Sequence, residues 1–193
     1  MRMQKFLIIM GLLAVTASVA SAQTALPRPN AFGLYFDGET QANTITLGEP
    51  ATMDLFLVYT DPTISFIDAW EVKVTIQGDA ALTGVALPTG STAILAGPEN
   101  WAVEMAAPMP CNTLTKLAVF TLTAAAQDNI LMFLGSIDDP TVVPSVLPAV
   151  RQPDSGWSTV PVVSRGPDDP VSGINTSTPN ETTSWGTVKS LFR

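Results

Sequence analysis

The sequence predicts an all-β fold, a two-sheet sandwich, on three observations. Short runs rich in Val, Ile, Leu, Phe, Thr and Trp recur along the chain, and Gly, Pro, Asn and Asp separate them as turn residues separate strands. No apolar stripe with a 3.6-residue period runs for a useful length before the C-terminal tail, so helices are not expected. About ten short strands at this spacing suit a two-sheet sandwich.

Residues 1–22 come first in the chain and stand apart from the fold. Arg2 and Lys5 precede an apolar run from Phe6 to Val19, which ends in Ala20-Ser21-Ala22. This is the pattern of a secretory signal peptide cleaved between Ala22 and Gln23, and the apolar run is too short to span a bilayer. The expected product is secreted, periplasmic or displayed at the cell surface, and its mature chain has no transmembrane segment. No Cys follows the cleavage site, so a lipid anchor on the new N-terminus is not expected.

Strands are then expected near Phe32 to Phe36, Asn43 to Leu47, Thr52 to Thr60, Ile64 to Gln77, Ala81 to Ala86, Trp101 to Ala106, Lys116 to Ala124 and Asn129 to Leu134. Thr141 to Val150 is broken by Pro144 and Pro148, and Trp157 to Val163 by Pro161. Each of these two is at best an edge strand, because proline cannot donate to a ladder. Alternation assigns the faces. From Ile64 the even positions Ile64, Phe66, Asp68, Trp70, Val72, Val74 and Ile76 share one face, while Ala69, Glu71, Lys73, Thr75 and Gln77 share the other. Trp70 is thereby expected in the core. Trp101 alternates with Ala102 and Glu104, which also points it inward.

From about residue 152 the composition turns to Pro, Ser, Gly, Asn, Thr and Asp. The sandwich is expected over 23–165 and a polar linker over 166–183, since that stretch has few apolar residues to offset its ordering entropy. A short tag follows at 184–193, where Trp185, Val188, Leu191 and Phe192 gather on one side of a helical turn and Lys189 and Arg193 lie near its end. The nine residues from Trp185 to Arg193, Gly186 among them, are too few to be helical alone, so the tag is expected to order on docking, either on its own sandwich or on a partner.

Charge narrows the partners. With Arg2 and Lys5 removed, seven basic residues face seventeen acidic ones, a net charge of −10. No Lys/Arg cluster is present to neutralise phosphates, which disfavours nucleic acid and anionic lipid. The chain contains no His, which removes Ser-His and Cys-His nucleophile pairs and His-ligated zinc from consideration. Cys111 is the only cysteine, so there is no internal disulfide; in Pro108-Met109-Pro110-Cys111-Asn112 it reads as a partly buried loop residue, with pairing between chains as the alternative.

Two stretches carry a resemblance. Leu47-Gly48-Glu49-Pro50-Ala51-Thr52-Met53-Asp54-Leu55-Phe56-Leu57-Val58-Tyr59, followed by Ile67 to Ile76 with Trp70 inside it and later by Lys116 to Leu122, resembles the strands of cohesin-like and related immunoglobulin-like sandwich modules of exported bacterial proteins. The resemblance covers about two thirds of the chain and implies a binding module. It departs from cellulosomal proteins in lacking any dockerin-type calcium repeat. The ending Trp185-Gly186-Thr187-Val188-Lys189-Ser190-Leu191-Phe192-Arg193 is similar to a Trp-Gly-x-Ile/Val-Lys-x-Leu-Tyr/Phe-Arg ending of uncharacterised exported bacterial proteins, which implies a shared sorting or docking tag.

The motifs that could carry chemistry are few. Asp154-Ser155-Gly156 matches the aspartic-protease triplet but occurs once, so a turn is expected. Asp138-Asp139-Pro140 and Asp168-Asp169-Pro170 lack the alternating acids of a calcium loop and read as acidic turns. Asp68, Glu71 and Glu104 lie on strands that could set two carboxylates across a sugar, the arrangement of a glycosidase. Tyr35, Phe56 and Trp157 are the aromatics that alternation leaves unassigned, and of these Tyr35 and Trp157 are the candidates for a sugar platform. Asn175-Thr176-Ser177 and Asn180-Glu181-Thr182 fit the glycosylation pattern and are expected as exposed acceptors in the linker, which matters only for a eukaryotic source. The expectation drawn from all this is a non-catalytic exported binding, adhesion or surface-structural module without a cofactor, whose partner is a protein or glycan at the cell surface. Two alternatives remain: a carbohydrate-binding module, and a carboxylate-based glycosidase.

Overall fold

The computed structural model describes residues 28–38, 42–126 and 128–176. The signal-peptide region and the tag at 184–193, with Trp185, Val188, Lys189, Leu191, Phe192 and Arg193, lie outside the described residues.

Every regular element described is a strand. In order they are β1 (Ala31–Tyr35), β2 (Thr44–Ile45), β3 (Ala51–Thr60), β4 (Phe66–Gln77), β5 (Ala80–Ala86), β6 (Ser91–Ala96), β7 (Asn100–Pro110), β8 (Leu114–Ala124), β9 (Ile130–Gly135), β10 (Ala149–Gln152), β11 (Gly156–Thr159) and β12 (Ser172–Ile174). They make two sheets, as the all-β sandwich reading expects. The smaller sheet has the order β1-β3-β8-β5. In the larger sheet β4 is the spine, with β7 and then β6 on one flank. On its other flank β9 and β10 follow one another along the same edge: Lys73 stands between Asn100 and Gly135, and Glu71 between Ala102 and Ala149. Residues 136–148 bulge out between those two half-edges. Beyond them β11 pairs with β10, and β12 with β9, with β2 parallel to β12.

Alternation builds the core between the sheets. Ile130, Met132 and Leu134 of β9 are buried in turn, as are Leu55, Leu57 and Tyr59 of β3 and Phe120, Leu122 and Ala124 of β8. Trp70 is fully buried and Trp101 nearly so, as their positions in the pattern require. Trp101 packs on Phe120 with ring centroids 5.1 Å apart, and Phe32 meets Tyr59 edge-on at 5.3 Å. Burial of a large apolar side chain of this kind is worth about 1.5–3 kcal/mol, so this layer is the main source of stability in a chain with no disulfide.

Four expectations need correction. The even-numbered face from Ile64 does not hold through Asp68, because the β4–β7 register shifts between Ile67 and Ala69. This bulge buries Ile67 completely and leaves Phe66 49% exposed, and only from Trp70 onward do even positions face inward. Second, the sandwich does not stop at 165. Gly166 onward is folded as far as 176, with Val171, Gly173 and Ile174 buried and β12 hydrogen-bonded into the larger sheet. Four residues with two apolar side chains can belong to a core when neighbouring strands supply the rest of the apolar surface. Third, β6 takes a stretch, Ser91–Ala96, in which no strand was expected, and Thr141 to Val150 is strand only from Ala149. Fourth, Asn175 is not an exposed acceptor: its Oδ1 accepts from the Leu47 N–H at 2.7 Å and its Nδ2 donates to the Asp128 carbonyl.

The sandwich is closed along one side and open along the other. Beside β1, residues 161–163 run as a further parallel segment, with the Phe32 N–H donating to the Pro161 carbonyl and the Val163 N–H to the Phe32 carbonyl. On the opposite side the edge strands are β5 and β6, which among the described residues pair with β8 and β7.

Candidate functional site

Asp68, Glu104 and Trp157, three of the side chains that the sequence singled out, belong to strands of the larger sheet. The registers place Trp157, Arg151, Ala69, Glu104 and Thr92 in one row across β11, β10, β4, β7 and β6. Arg151 is the centre of the row. Its Nε donates to Asp68 Oδ1 at 2.8 Å and its Nη1 to Glu104 Oε1 at 2.9 Å. Its guanidinium carbon sits 5.7 Å from the centre of the Trp157 ring. The bulge in β4 is what makes this possible: it turns Asp68 out of the core and toward Arg151. The two carboxylates hold the guanidinium further toward its charged form, Asp68 contributing most.

Two of the three candidate glycosidase carboxylates are thus brought together, but around a shared cation. A glycosidase needs one carboxyl to deliver a proton to the leaving oxygen. Asp68 and Glu104 instead both accept hydrogen bonds from one permanently charged guanidinium, an arrangement that fixes side chains and charge. Glu71 is apart from them. It is 2% exposed, and its oxygens accept the Thr141 N–H at 3.0 Å and the Thr141 hydroxyl at 2.7 Å. Its work is to fasten the excursion 136–148 onto the sheet.

That excursion is fastened a second time further along. Lys73 Nζ donates to Asp138 Oδ1 at 2.7 Å, Asn100 Nδ2 donates to Asp138 Oδ2 at 2.9 Å, and the Asp138 N–H donates back to Asn100 Oδ1. These bonds, Lys73 first, hold the Asp138 carboxyl below the usual carboxylate range, and Asp138 in turn raises Lys73. Past Thr141 the excursion carries Val143 and Val146, 75% and 67% exposed. Two bare valines on the segment fastened over Glu71 add exposed apolar surface to the excursion. Sequence reasoning missed them, and the signal was present: Val142-Val143-Pro144-Ser145-Val146 sits in a stretch that its prolines exclude from a central strand.

Of the two proposed sugar-platform aromatics, Trp157 is half-buried on β11 and Tyr35 is not available. Tyr35 is 3% exposed, and burial pushes its hydroxyl up to about 12. Gly33 accounts for its position: a Cβ there would stand 2.6 Å from the Tyr35 ring, so the glycine leaves room for the ring to lie back over β1. Phe56, the third unassigned aromatic, lies under Lys116 Nζ at 5.4 Å. Asp154-Ser155-Gly156 forms the β10–β11 hairpin turn, with φ of 64° at Asp154 and 80° at Gly156. Among the described residues no group of three or more His, Cys, Asp or Glu side chains is placed to hold a metal, and Asp168-Asp169-Pro170 is a turn. Cys111 lies partly buried after β7, and burial raises its thiol. No helix among the described residues is long and apolar enough to cross a membrane.

No protein-family model matches the chain, and no curated protein does. Among solved structures the chain is similar to a cohesin module from a family 33 glycoside hydrolase of Clostridium perfringens, at 9% identity and a TM-score of 0.43, covering 67% of this chain and 90% of that one. The likeness is one of architecture.

Proposed function

We propose that this protein is a non-catalytic exported binding module whose contact surface is the outer face of β11, β10, β4 and β7 together with the excursion 136–148. The observation that carries this reading is the Arg151 row. A guanidinium held by two carboxylates and set against an indole is a rigid, preorganised feature, and Trp and Arg are the side chains that most often dominate binding energy. Val143 and Val146 are the exposed apolar side chains of the excursion. The signal-peptide pattern of residues 1–22 makes the module exported, and the segment 184–193 is its sorting or docking tag.

The test uses the mature chain 23–193 and the envelope fraction of the producing cells. Trp157→Ala and the pair Val143→Asp with Val146→Asp should each lower retention by tenfold or more, while Thr52→Asp on the other sheet leaves it unchanged. Equal retention of all forms removes this face as the contact surface. A hydrolase activity abolished by Asp68→Asn or Glu104→Gln would overturn the non-catalytic reading.

Carbohydrate binding is the second reading, and it now rests on Trp157 alone. Its indole could stack on a sugar ring while Arg151 and Glu104 supply hydrogen bonds. Retardation in polysaccharide gels that Trp157→Ala abolishes would favour this version over a protein partner.

A further inference from the structure

Strands β5 and β6 are the edges of the open side, one from each sheet, and neither carries a charge. From Ala80 to Pro98 the chain has no Asp, Glu, Lys or Arg, and Asp79 and Glu99 stand just outside that run. Edge strands are ordinarily blunted by charges, prolines or a cover. Elsewhere in this protein they are: β1 is flanked by residues 161–163, and β11 is four residues long and closely followed by Pro161.

The edge of β6 has a bulge instead. Ala93 faces Val103 and Leu95 faces Ala102, so Ile94 between them has no partner on β7. Ile94 is 62% exposed and Leu95 43%. A bulge breaks the ladder and re-aims a side chain, so this edge offers an apolar projection rather than a regular row of backbone groups. Two residues further on, about 7 Å along the strand at ~3.3 Å per residue, Ala96 lines a cavity between β5 and β6. The cavity holds about 270 Å³, Leu82, Val85 and Pro98 are among its other walls, and no charged residue lines it. That is just below the ~300 Å³ at which pockets for whole ligands begin, and it suits a single apolar side chain.

We propose that this side of the sandwich pairs with the same side of a second copy, Ile94 of each chain entering the β5–β6 cavity of the other. Two observations select a second copy over a different partner. The first is self-complementarity. One patch carries both an apolar projection and an apolar recess, and a two-fold axis between them satisfies both at once, because an isologous contact is made twice. The second is charge. Residues 28–176 carry sixteen acids and five basic residues, so two copies repel one another, and an uncharged run is where they approach at least cost. A basic partner would gain nothing from a surface without charge. The pairing leaves the face around Arg151 and Trp157 uncovered, since β11 lies four strands from β6 in the larger sheet.

The experiment is sedimentation equilibrium of the mature chain 23–193 from ~1 to ~300 µM, beside Ile94→Asp, Ala96→Arg and an equimolar mixture of those two variants. Ile94 and Ala96 are both exposed, so neither substitution removes core packing. The unsubstituted chain should dimerise. Each variant alone should associate at least about tenfold more weakly, the first by bringing a charge to the recess and the second by filling it. The mixture should recover a dimer: at one contact an intact Ile94 meets an open recess, and at the other the new carboxylate meets the new guanidinium. That recovery also shows both variants to be folded. Salt should tighten the unsubstituted dimer, because it screens the repulsion between acidic chains. A chain that stays monomeric at the highest concentration overturns the proposal. So does a dimer that Ile94→Asp leaves intact, a mixture that recovers nothing, or a dimer that salt weakens.

Discussion

Arg151 and Asp68, separated by 83 positions, meet with 2.8 Å between Nε and Oδ1, and the same guanidinium reaches Glu104 at 2.9 Å. Side-chain exposures of 31% and 23% place the Arg151–Asp68 pair between a surface ion pair and a buried one. Arg151→Ala is therefore expected to cost roughly 1 kcal/mol, read from urea unfolding, with the loss shrinking at high salt. Arg151→Lys should recover less than half of it, because an ammonium cannot serve both carboxylates along the planar fork that the arginine presents. No change on Arg151→Ala would mean that the row is loose in solution.

Glu71 is the strongest candidate for a structural role read as a catalytic one. Glu71→Ala leaves the Thr141 N–H and hydroxyl without their acceptor beneath the excursion, and a loss of about 2 kcal/mol is expected. Amides of 136–148 should exchange faster in that variant. Glu71→Gln should be milder, since one oxygen still accepts from the Thr141 N–H and the new amide can donate to the hydroxyl.

Gly78 joins β4 to β5 with φ of 111°, and a Cβ there would lie 2.8 Å from the Asn129 carbonyl oxygen. Gly78→Ala combines backbone strain with a clash against backbone that cannot swing away, so a loss of about 2 kcal/mol is expected in thermal unfolding. Gly48→Ala is the control: nothing lies within 4 Å of its added Cβ, and stability should change by less than ~0.5 kcal/mol.

The Lys73–Asp138 fastening gives a pH signature with a definite sign. Asp138 is held below its ordinary value of 3.8, so the stability it contributes is fully present above that value and is lost as pH falls through the lower, folded value. Lys73 is raised above 10.5, so its share is present below that pH and is lost only as pH rises through the higher folded value. The excursion should stay fastened across the neutral range. Amide exchange in 136–148, corrected for the intrinsic rate, should rise on acidification below about pH 4 in the native protein, and Asp138→Asn should flatten that rise. An unaltered profile in the variant would assign the acid response to other carboxylates.

Much of the fold was legible because strand alternation and turn chemistry are local. Trp70 and Trp101 fall on apolar phases of their strands, and both are core. Asp154-Ser155-Gly156 has turn residues at the positions with positive φ, and it is a turn. The failures share a cause. Alternation counts residues from a fixed start, and the register shift between Ile67 and Ala69 resets the count where the sequence has no glycine or proline to mark it. Tyr35 looked unassigned since every residue of β1 is buried, so alternation within the strand does not tell its two faces apart.

What the sequence determined by itself is the all-β class, the approximate course of most strands, the two core tryptophans and the acidic balance. Each follows from stereochemistry or composition within a few residues. Only the tertiary structure decided that 166–176 belongs to the sandwich, that the excursion 136–148 splits an edge into β9 and β10, and that Asp68 and Glu104 converge on Arg151. Those outcomes depend on partners 40 to 129 positions apart, and a residue's own neighbours in sequence carry no record of which distant strand will flank it.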